Sequence, residues 1–304
     1  MIKINLPNLD NLAKKYYQKI EAYIESKHTT KYQLDEINCD LLHLFDKDLK
    51  QIVTSDPVEI RKLIAISPIT FSKEIHQLKD LYEVFRNKWS VELLEDLNIK
   101  VCPFCNREYI FKFEDTKQKK ARIIASLDHY YDKDTYPFLA VSFYNLIPSC
   151  TICNSKFKHK ENFFKTPHLH PYEDDFNQKA KFIHFFNVAT DKTKHYSIFS
   201  KERITLNLKQ TDDTDVKTKN TIKTFRLNEL YNEHKDIVLE LIQKAEIYND
   251  SYIDELVNRY EGTLFKNRED LMRLITCGYI TDEEISKRPL SKLIKDISEE
   301  LELI

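Results

Sequence analysis

Apolar side chains recur at every third or fourth position through the first hundred residues, a spacing typical of helices that pack on a common core. The clearest stripe predicts an amphipathic helix over Leu9–Ser26, and a second long stripe covers residues 71–85. Asp56 followed by Pro57 predicts a helix start, since an acidic cap followed by proline at the first helical position is preferred. We therefore expect a helical N-terminal region.

The pattern changes between residues 108 and 127, where apolar and polar residues alternate. Residues 108–113 predict one strand, and residues 122–127 predict a second strand that ends on Asp128 and His129. After an irregular stretch, residues 153–160 predict a helix. The centre of the chain is expected to run strand, strand, loop, helix.

The remainder of the chain is predicted to be a short β region followed by helices, which makes the whole an α+β protein. The predicted elements are strands at 181–188, 196–198 and 204–208, a polar loop at 209–220, one long helix from Phe225 to Tyr260 ended by Gly262, a capping-box helix start at Thr281, and helices at 271–276 and 290–301.

Composition excludes several classes of function. Lys and Arg number 47 against 49 Asp and Glu, so no overall positive charge indicates a nucleic-acid partner. The two glycines, Gly262 and Gly278, are too few for any glycine-rich phosphate loop. No apolar run has the length of a membrane span, and the N-terminus lacks the apolar stretch of a signal peptide, which predicts a cytoplasmic protein with no membrane partner.

Four of the six cysteines form two Cys-x-x-Cys pairs. In a reducing compartment such pairs more often bind metal than form disulfides, and four thiolates suit tetrahedral Zn²⁺. A site with four protein ligands has no open position, so we expect structural zinc. The predicted ligands are Cys102, Cys105, Cys150 and Cys153, whereas Cys39 and Cys277 are expected to be buried apolar residues.

Between the two pairs lie residues suited to phosphodiester hydrolysis, which needs an activated water and a Lewis acid on the phosphate. His129 can accept a proton near neutral pH. Asp128 and Asn154 offer hard oxygens to Mg²⁺, or to Mn²⁺ in its place. Neighbouring residues of a strand point to opposite sides, so the loop after His129 must bring it and Asp128 to one site.

These motifs together resemble the HNH, or ββα-metal, endonuclease family in its zinc-containing form. The segments CPFCN, LDHYYDKDTYPFLA, NLIPSCTICNSKFK and HPYEDDF resemble, more narrowly, the HNH nuclease subunit of Septu-type and retron-associated antiphage defence systems. The resemblance covers about residues 100–175. It implies a central zinc-stapled ββα nuclease core over 99–175, with a helical region over 1–98, a small β extension over 176–220 and a C-terminal helical region over 221–304.

The resemblance also implies roles for single residues. His129 would be the general base, Asn145 would hold the loop that orients it, and Asn154 would stand where other members carry a third histidine. Lys156 and Lys158, on a basic helix face, would contact phosphates. The sequence departs from the pattern in having no histidine at that third position, which leaves open whether His159, His168 or His170 assists.

The resemblance implies DNA as the substrate and an ABC- or SMC-like ATPase as the partner in a defence complex. A modest local charge agrees, since residues 101–165 hold 11 Lys and Arg against 7 Asp and Glu. The alternative hypothesis is a catalytically inactive zinc module that binds nucleic acid or protein. Isolated Asp-His pairs and single asparagines are common in turns and caps, so only their combination between the cysteine pairs favours the nuclease.

Overall fold

The computed structural model describes residues 2–26, 32–116, 120–187 and 200–304, with the side chain of Lys120 also outside the description. The described chain is an α+β protein with eleven α-helices and small antiparallel sheets. It forms two compact units. The N-terminal unit comprises Lys3–Pro103 and Tyr109–Asp174, and the C-terminal unit comprises Ile2, Phe104–Glu108 and Asp175–Ile304.

The N-terminal unit begins with helices and continues into short strands. Its helices are α1 (Leu9–Ser26), α2 (Leu34–Phe45), α3 (Leu49–Thr54), α4 (Pro57–Ile66) and α5 (Lys73–Asp96). Its strands are β1 (Lys112–Asp115), β2 (Lys120–Ile123), β3 (Ser126–His129) and β4 (Leu146–Ser149), and a π-helix covers Ile152–Lys158. The prediction of α1 is confirmed at both ends.

Local sequence sets the helix starts in this unit. The side chain of Asp56 accepts a hydrogen bond from the backbone N–H of Glu59 at 2.8 Å, and Pro57 is the first helical residue, as predicted. Ser72 caps α5 in the same manner by accepting from the N–H of Ile75 at 3.3 Å. Such caps stabilise a helix by about 1 kcal/mol each.

Aromatic rings form much of the core of the N-terminal unit. Tyr16 of α1 lies 5.5 Å from Phe85 of α5 and 6.0 Å from Phe143, measured between ring centroids. Phe138 lies 4.6 Å from Phe45 of α2. Phe138 and Phe143 belong to two 3₁₀ turns, Pro137–Leu139 and Phe143–Asn145. The helical core therefore anchors the segment between β3 and β4.

The strands differ from the prediction in three ways. The first strand begins at Lys112 rather than at residue 108. The expected strand over 122–127 is two strands, because the chain bends at Ile124 and Ala125. β4 was not predicted, since it is four residues long and contains Pro148, a residue that weakens any strand pattern. It pairs antiparallel with β3, with His129 opposite Leu146 and Ser126 opposite Ser149.

The C-terminal unit joins a two-stranded sheet to helices. Its elements are β5 (Ala180–Phe186), β6 (Ile204–Gln210), α6 (Val216–Thr224), α7 (Leu227–Tyr231), α8 (Lys235–Ile247), α9 (Asp250–Tyr260), α10 (Arg268–Thr276) and α11 (Ser291–Glu300). β5 and β6 are antiparallel, with Ala180 opposite Gln210 and Phe186 opposite Ile204. The predicted strand at 196–198 lies outside the described residues.

Two helix predictions and one loop prediction for this unit are wrong. The single helix to Tyr260 is interrupted, because Asn249 caps α9 by accepting from the N–H of Tyr252 at 3.0 Å. The polar loop at 209–220 is shorter, because β6 extends to Gln210 and Asp215 caps α6. No helix starts at Thr281, since residues 281–290 are turns.

Buried polar contacts hold this unit together. Asn106 donates to the carbonyl of Ile285 at 2.9 Å and accepts from the N–H of Lys292 at 3.0 Å. Asp296 of α11 accepts from the N–H of Phe182 in β5 at 2.9 Å. In the described ranges, no helix combines the length and apolar character needed to cross a bilayer.

Candidate active site and metal centre

Four cysteines lie together, as their spacing predicts. The sulfurs of Cys102, Cys105, Cys150 and Cys153 all lie within 4.8 Å of one another, and each side chain is buried. Among the described residues, these four form the one group of three or more His, Cys, Asp or Glu side chains that could hold a metal ion. Four thiolates at this spacing fit a metal such as zinc, and they fill a tetrahedral shell.

Short backbone contacts shape the two cysteine turns. The N–H of Arg107 points at the sulfur of Cys105 and the N–H of Cys153 at the sulfur of Cys150, each at 3.4 Å. An N–H that points at sulfur stabilises the thiolate form, which is the form that binds metal. The second turn follows directly from β4, which ends at Ser149. In contrast, Cys39 and Cys277 are exposed, so the prediction that they are buried is wrong.

His129 is the last residue of β3 and is buried, with 8% of its surface exposed. Its Nε2 lies 2.9 Å from the carbonyl oxygen of Ala140. A carbonyl only accepts, so Nε2 carries the proton and Nδ1 carries the lone pair in the neutral ring. The ring of Tyr82 in α5 packs against the imidazole at 4.2 Å in an edge arrangement. Burial lowers the pKa of His129 to about 3, which keeps the ring neutral at pH 7.

Asn145 ties together the backbone on both sides of His129. Its Oδ1 accepts from the N–H of Tyr131 at 2.7 Å, and its Nδ2 donates to the carbonyls of Tyr131 and Leu139, each at 3.0 Å. Leu139 precedes Ala140, whose carbonyl accepts the hydrogen bond from Nε2 of His129. The asparagine is fully buried. It is therefore placed to fix the imidazole by fixing the two peptides that flank it.

Asp128 is buried and forms an ion pair with a lysine of the π-helix. Nζ of Lys158 lies 2.9 Å from Oδ1 of Asp128 and 2.6 Å from the carbonyl of His129, and both side chains are almost fully buried. The same ammonium lies 5.2 Å from the ring centroid of Phe163. Burial raises the pKa of Asp128, and the positive charge of Lys158 opposes that rise. The other carboxylate oxygen, Oδ2, is buried without a hydrogen-bond partner.

The structure corrects the prediction that Lys158 is a surface phosphate ligand. Its ammonium is bonded inside the protein, whereas Lys156 is exposed. Residues two apart on a helix do not share a face, so Lys156 and Lys158 point to different sides of the helix. The helix is also wider than expected, since the N–H of His159 bonds to the carbonyl of Asn154 five residues earlier.

Asn154 lies at the side of the π-helix, partly buried, and lines a surface groove with Leu127, the residue before Asp128. A hard cation such as Mg²⁺ needs oxygen ligands and often takes only one or two from the protein. Oδ2 of Asp128 is buried without a hydrogen-bond partner, and Asn154 carries an amide oxygen at the groove. Both side chains carry oxygens of the type that Mg²⁺ takes, and the ammonium of Lys158 offsets the charge of Asp128.

Three further histidines occupy different environments. His159 is exposed and has a positive φ of 44° at the end of the π-helix. His168 is buried and stacks on Phe163 with 3.8 Å between centroids, and burial lowers its pKa. His170 is buried 4.2 Å from the ring of Tyr130. The buried pair therefore packs among aromatic rings.

Sequence reasoning missed two residues that contact the centre. Tyr82 belongs to the apolar stripe of α5 and is expected from the stripe alone to be core, but its ring contacts His129 and its hydroxyl donates to the carbonyl of Leu127 at 2.9 Å. The contact of the Ala140 carbonyl with His129 could not be predicted from the sequence, because it is made by a backbone group.

Comparison of the chain with protein-family models, curated proteins and solved structures finds no match.

Proposed function

We propose that this chain is a metal-dependent endonuclease of the HNH type that hydrolyses phosphodiester bonds of DNA. The observation that supports this most is the setting of His129. Its Nε2 bonds to the Ala140 carbonyl, so its Nδ1 is the basic atom, and Asn145 holds the peptides on either side. An imidazole fixed in one tautomer is what a general base needs.

In this proposal, Nδ1 of His129 takes the proton from the attacking water. The Ala140 carbonyl stabilises the imidazolium that forms, because it already accepts a hydrogen bond from the Nε2–H group, with 2.9 Å between nitrogen and oxygen. Asn145 keeps that carbonyl and the Tyr131 peptide in place. The ring of Tyr82 packs against the imidazole and helps to hold it in this position.

The divalent cation, when bound, would polarise the scissile phosphate and stabilise the leaving oxygen. Asp128 and Asn154 would hold it through their side-chain oxygens. Lys158 favours the ionised form of Asp128, because its positive charge opposes the rise in the pKa of Asp128 that burial causes. Lys156, exposed on the same π-helix, would contact a phosphate of the substrate.

Cleavage of supercoiled plasmid tests the proposal. The wild-type chain should cut plasmid with Mg²⁺ or Mn²⁺ and should stop when the ion is chelated. His129→Ala should cut at least about 100-fold more slowly, the usual effect of losing a general base. His76→Ala, which removes an exposed histidine of α5, is the matched control and should cut like wild type. Equal rates for wild type and His129→Ala would contradict the assignment.

We propose zinc as the ion of the four-cysteine site, where it would be structural. Metal analysis should find one zinc per chain. Cys102→Ser should lose zinc and stability, since metal binding at such sites supplies folding free energy. Cys39→Ser, at an exposed cysteine, should keep both. Zinc retained in full by Cys102→Ser would contradict a four-thiolate site.

A second candidate is a zinc module that binds nucleic acid without cutting it. The burial of His129 and the Lys158 contact to Asp128 favour it, since both limit access of substrate and cation. The plasmid assay separates the two, because an inactive module would retard DNA on a gel and leave it intact with every divalent ion.

We also propose an ATPase as the partner of the chain. The chain has two glycines and no glycine-rich phosphate loop, which is compatible with an ATPase supplied as a separate protein. Co-expression with the protein encoded by the neighbouring reading frame tests this proposal. A stable complex whose cleavage of DNA depends on ATP is expected, whereas a neighbour without ATPase activity would oppose it.

A further inference from the structure

One face of the β1–β2 hairpin exposes an unusual set of large apolar side chains, called here the aromatic strip. It consists of Tyr109, Phe111, Phe113 and Ile124, which are 41–50% exposed. The rings of Tyr109 and Phe111 lie 5.7 Å apart, as expected for residues two apart on one side of a strand. Large apolar residues grouped on a surface indicate a binding site more often than chance exposure.

Arg122 lies on the same face as the aromatic strip. Phe113 is directly opposite Arg122 in the antiparallel register, and directly opposed residues share a face. The guanidinium side chain is about half exposed. The strip therefore combines flat rings with a cation next to them.

Arg122 also lines a polar surface groove of about 380 Å³ in the N-terminal unit. Arg86, Asn87 and Ser90 of α5 line one part of it, and β2 lines another. The groove continues to Leu127 and Asn154, at the candidate active site. Arg122 thus lies beside the aromatic strip and also lines the groove that reaches Asn154.

We infer that the aromatic strip and this groove bind single-stranded nucleic acid, so that the nuclease takes a substrate with unpaired bases. The inference rests on the proposed function and specifies its substrate class. Bases would stack on Phe111 and Phe113, and phosphates would contact Arg122 and Arg86. In a duplex the faces of the bases are covered by their neighbours, so only unpaired bases can stack on protein rings.

Charge favours nucleic acid over a protein partner. In the sequence from Tyr109 to Ser126, five residues are basic and two are acidic, within a chain of net charge −2. Arg86 pairs with Glu83 at 2.8 Å and Arg122 with Asp115 at 3.7 Å. Because both arginines are about half exposed, these pairs are weak and can be exchanged for phosphate contacts.

Binding of a fluorescein-labelled 20-mer of oligo(dT), measured by anisotropy without divalent ions, tests the inference. Phe111→Ser/Phe113→Ser should bind about 30-fold more weakly, since each stacked ring contributes about fivefold or more. Affinity for a blunt duplex of the same length should change much less. Thermal unfolding should be unchanged, because both rings are exposed.

Phe185→Ser/Phe186→Ser is the matched control, because it removes two exposed phenylalanines from β5 in the C-terminal unit. It should bind oligo(dT) like wild type. The inference is overturned if wild type does not bind the oligonucleotide, if the Phe111/Phe113 variant binds it equally well, or if the control loses as much affinity. Unchanged binding in the variant would point instead to a protein as the occupant of the strip.

The two proposals fail in different ways. His129→Ala should bind oligo(dT) with wild-type affinity while losing cleavage. If the wild-type chain does not cut DNA but still binds the oligonucleotide through the aromatic strip, the nuclease proposal fails and the inference about the strip stands. If cleavage of single strands persists at the wild-type rate in Phe111→Ser/Phe113→Ser, the inference about the strip fails alone.

Discussion

Among the described residues, two buried lysine–aspartate pairs occur, one in each compact unit, and they differ in the hydrogen bonds of the aspartate. Lys292 and Asp296 lie one turn apart on α11, with Nζ 3.2 and 2.8 Å from the two carboxylate oxygens, and Asp296 also accepts from the N–H of Phe182. Lys158 and Asp128 join the π-helix to the end of β3, and Oδ2 of Asp128 has no hydrogen-bond partner.

The difference separates a structural pair from a functional candidate. A buried polar atom without a partner costs about 1–3 kcal/mol, so proteins rarely leave one without a reason. Asp296 has its hydrogen-bonding capacity used inside the fold. One carboxylate oxygen of Asp128 has no hydrogen-bond partner, and the next residue is the proposed general base. We propose that the Asp128 pair takes part in the proposed chemistry and that the Lys292 pair does not, and the following predictions test this difference.

The largest expected effect is on stability, and it should be shared by both pairs. Lys292→Met and Lys158→Met each leave a buried carboxylate without its counter-charge, which should lower the free energy of unfolding by about 3–5 kcal/mol. Urea unfolding followed by circular dichroism measures this. Lys156→Met, at an exposed lysine of the same π-helix, is the control and should unfold like wild type. A loss at only one of the pairs would mean that the other is not a buried ion pair in solution.

The next effect should distinguish the pairs by activity. Asp128→Asn should lower the rate of DNA cleavage by about 100-fold or more, since a lost metal ligand removes several kcal/mol of transition-state stabilisation. Asp296→Asn should leave the rate per folded molecule unchanged. Single-turnover cleavage with Mg²⁺, normalised to folded protein, measures both. If the two variants lose activity equally, the proposed role of Asp128 is lost.

A smaller effect should appear in the pH dependence of Lys292→Met. Burial raises the pKa of Asp296, and Lys292 opposes this rise, so the pKa should be higher still in the variant. The charges of Lys295 and Glu299 also interact with this carboxyl group, and the charge of Lys181 lowers the pKa of Lys292. A carboxyl group whose folded pKa lies above its unfolded value stabilises the fold at low pH and loses that effect as pH rises through the folded pKa.

The variant should therefore lose more stability relative to wild type at pH 8 than at pH 5. The change should be about 1.4 kcal/mol for each pH unit between the unfolded and folded pKa values. Urea midpoints of the two proteins at both pH values give the measurement. A constant difference would show that the carboxyl group of Asp296 is not desolvated.

The smallest effect concerns Lys156, which is exposed where Lys158 is buried. Lys156→Ala should weaken DNA binding slightly and reduce the salt dependence of the binding constant by about one unit of slope, as loss of one phosphate contact does. Stability should change by less than about 0.5 kcal/mol. A salt titration of wild type and variant shows the difference, and identical slopes would remove Lys156 from the interface.

Local signals in the sequence were sufficient for parts of the fold. The apolar stripe of α1 and the Asp56-Pro57 start of α4 depend on neighbouring residues, and both are confirmed. The cysteine spacing predicted the four-sulfur cluster, because metal sites demand a fixed set of ligands. β4 could not be predicted, since it exists through pairing with β3 rather than through its own pattern.

The sequence suggested candidate residues for the site but not their contacts. The Asp-His pair was proposed from residue type, and the role of Asn145 was implied by the family resemblance. The pairing of Lys158 with Asp128 depends on a π-helix, whose wider turn is not encoded by any simple periodicity. Likewise, the Ala140 carbonyl contacts His129 through the fold of the segment between β3 and β4.

The central claim is that the neutral imidazole of His129 is the general base, and chemical rescue tests it most directly. His129→Ala should cleave DNA at least about 100-fold more slowly than wild type. Added imidazole should restore part of that rate in proportion to its concentration and should not accelerate wild type. A variant that cuts at the wild-type rate without imidazole would contradict the account.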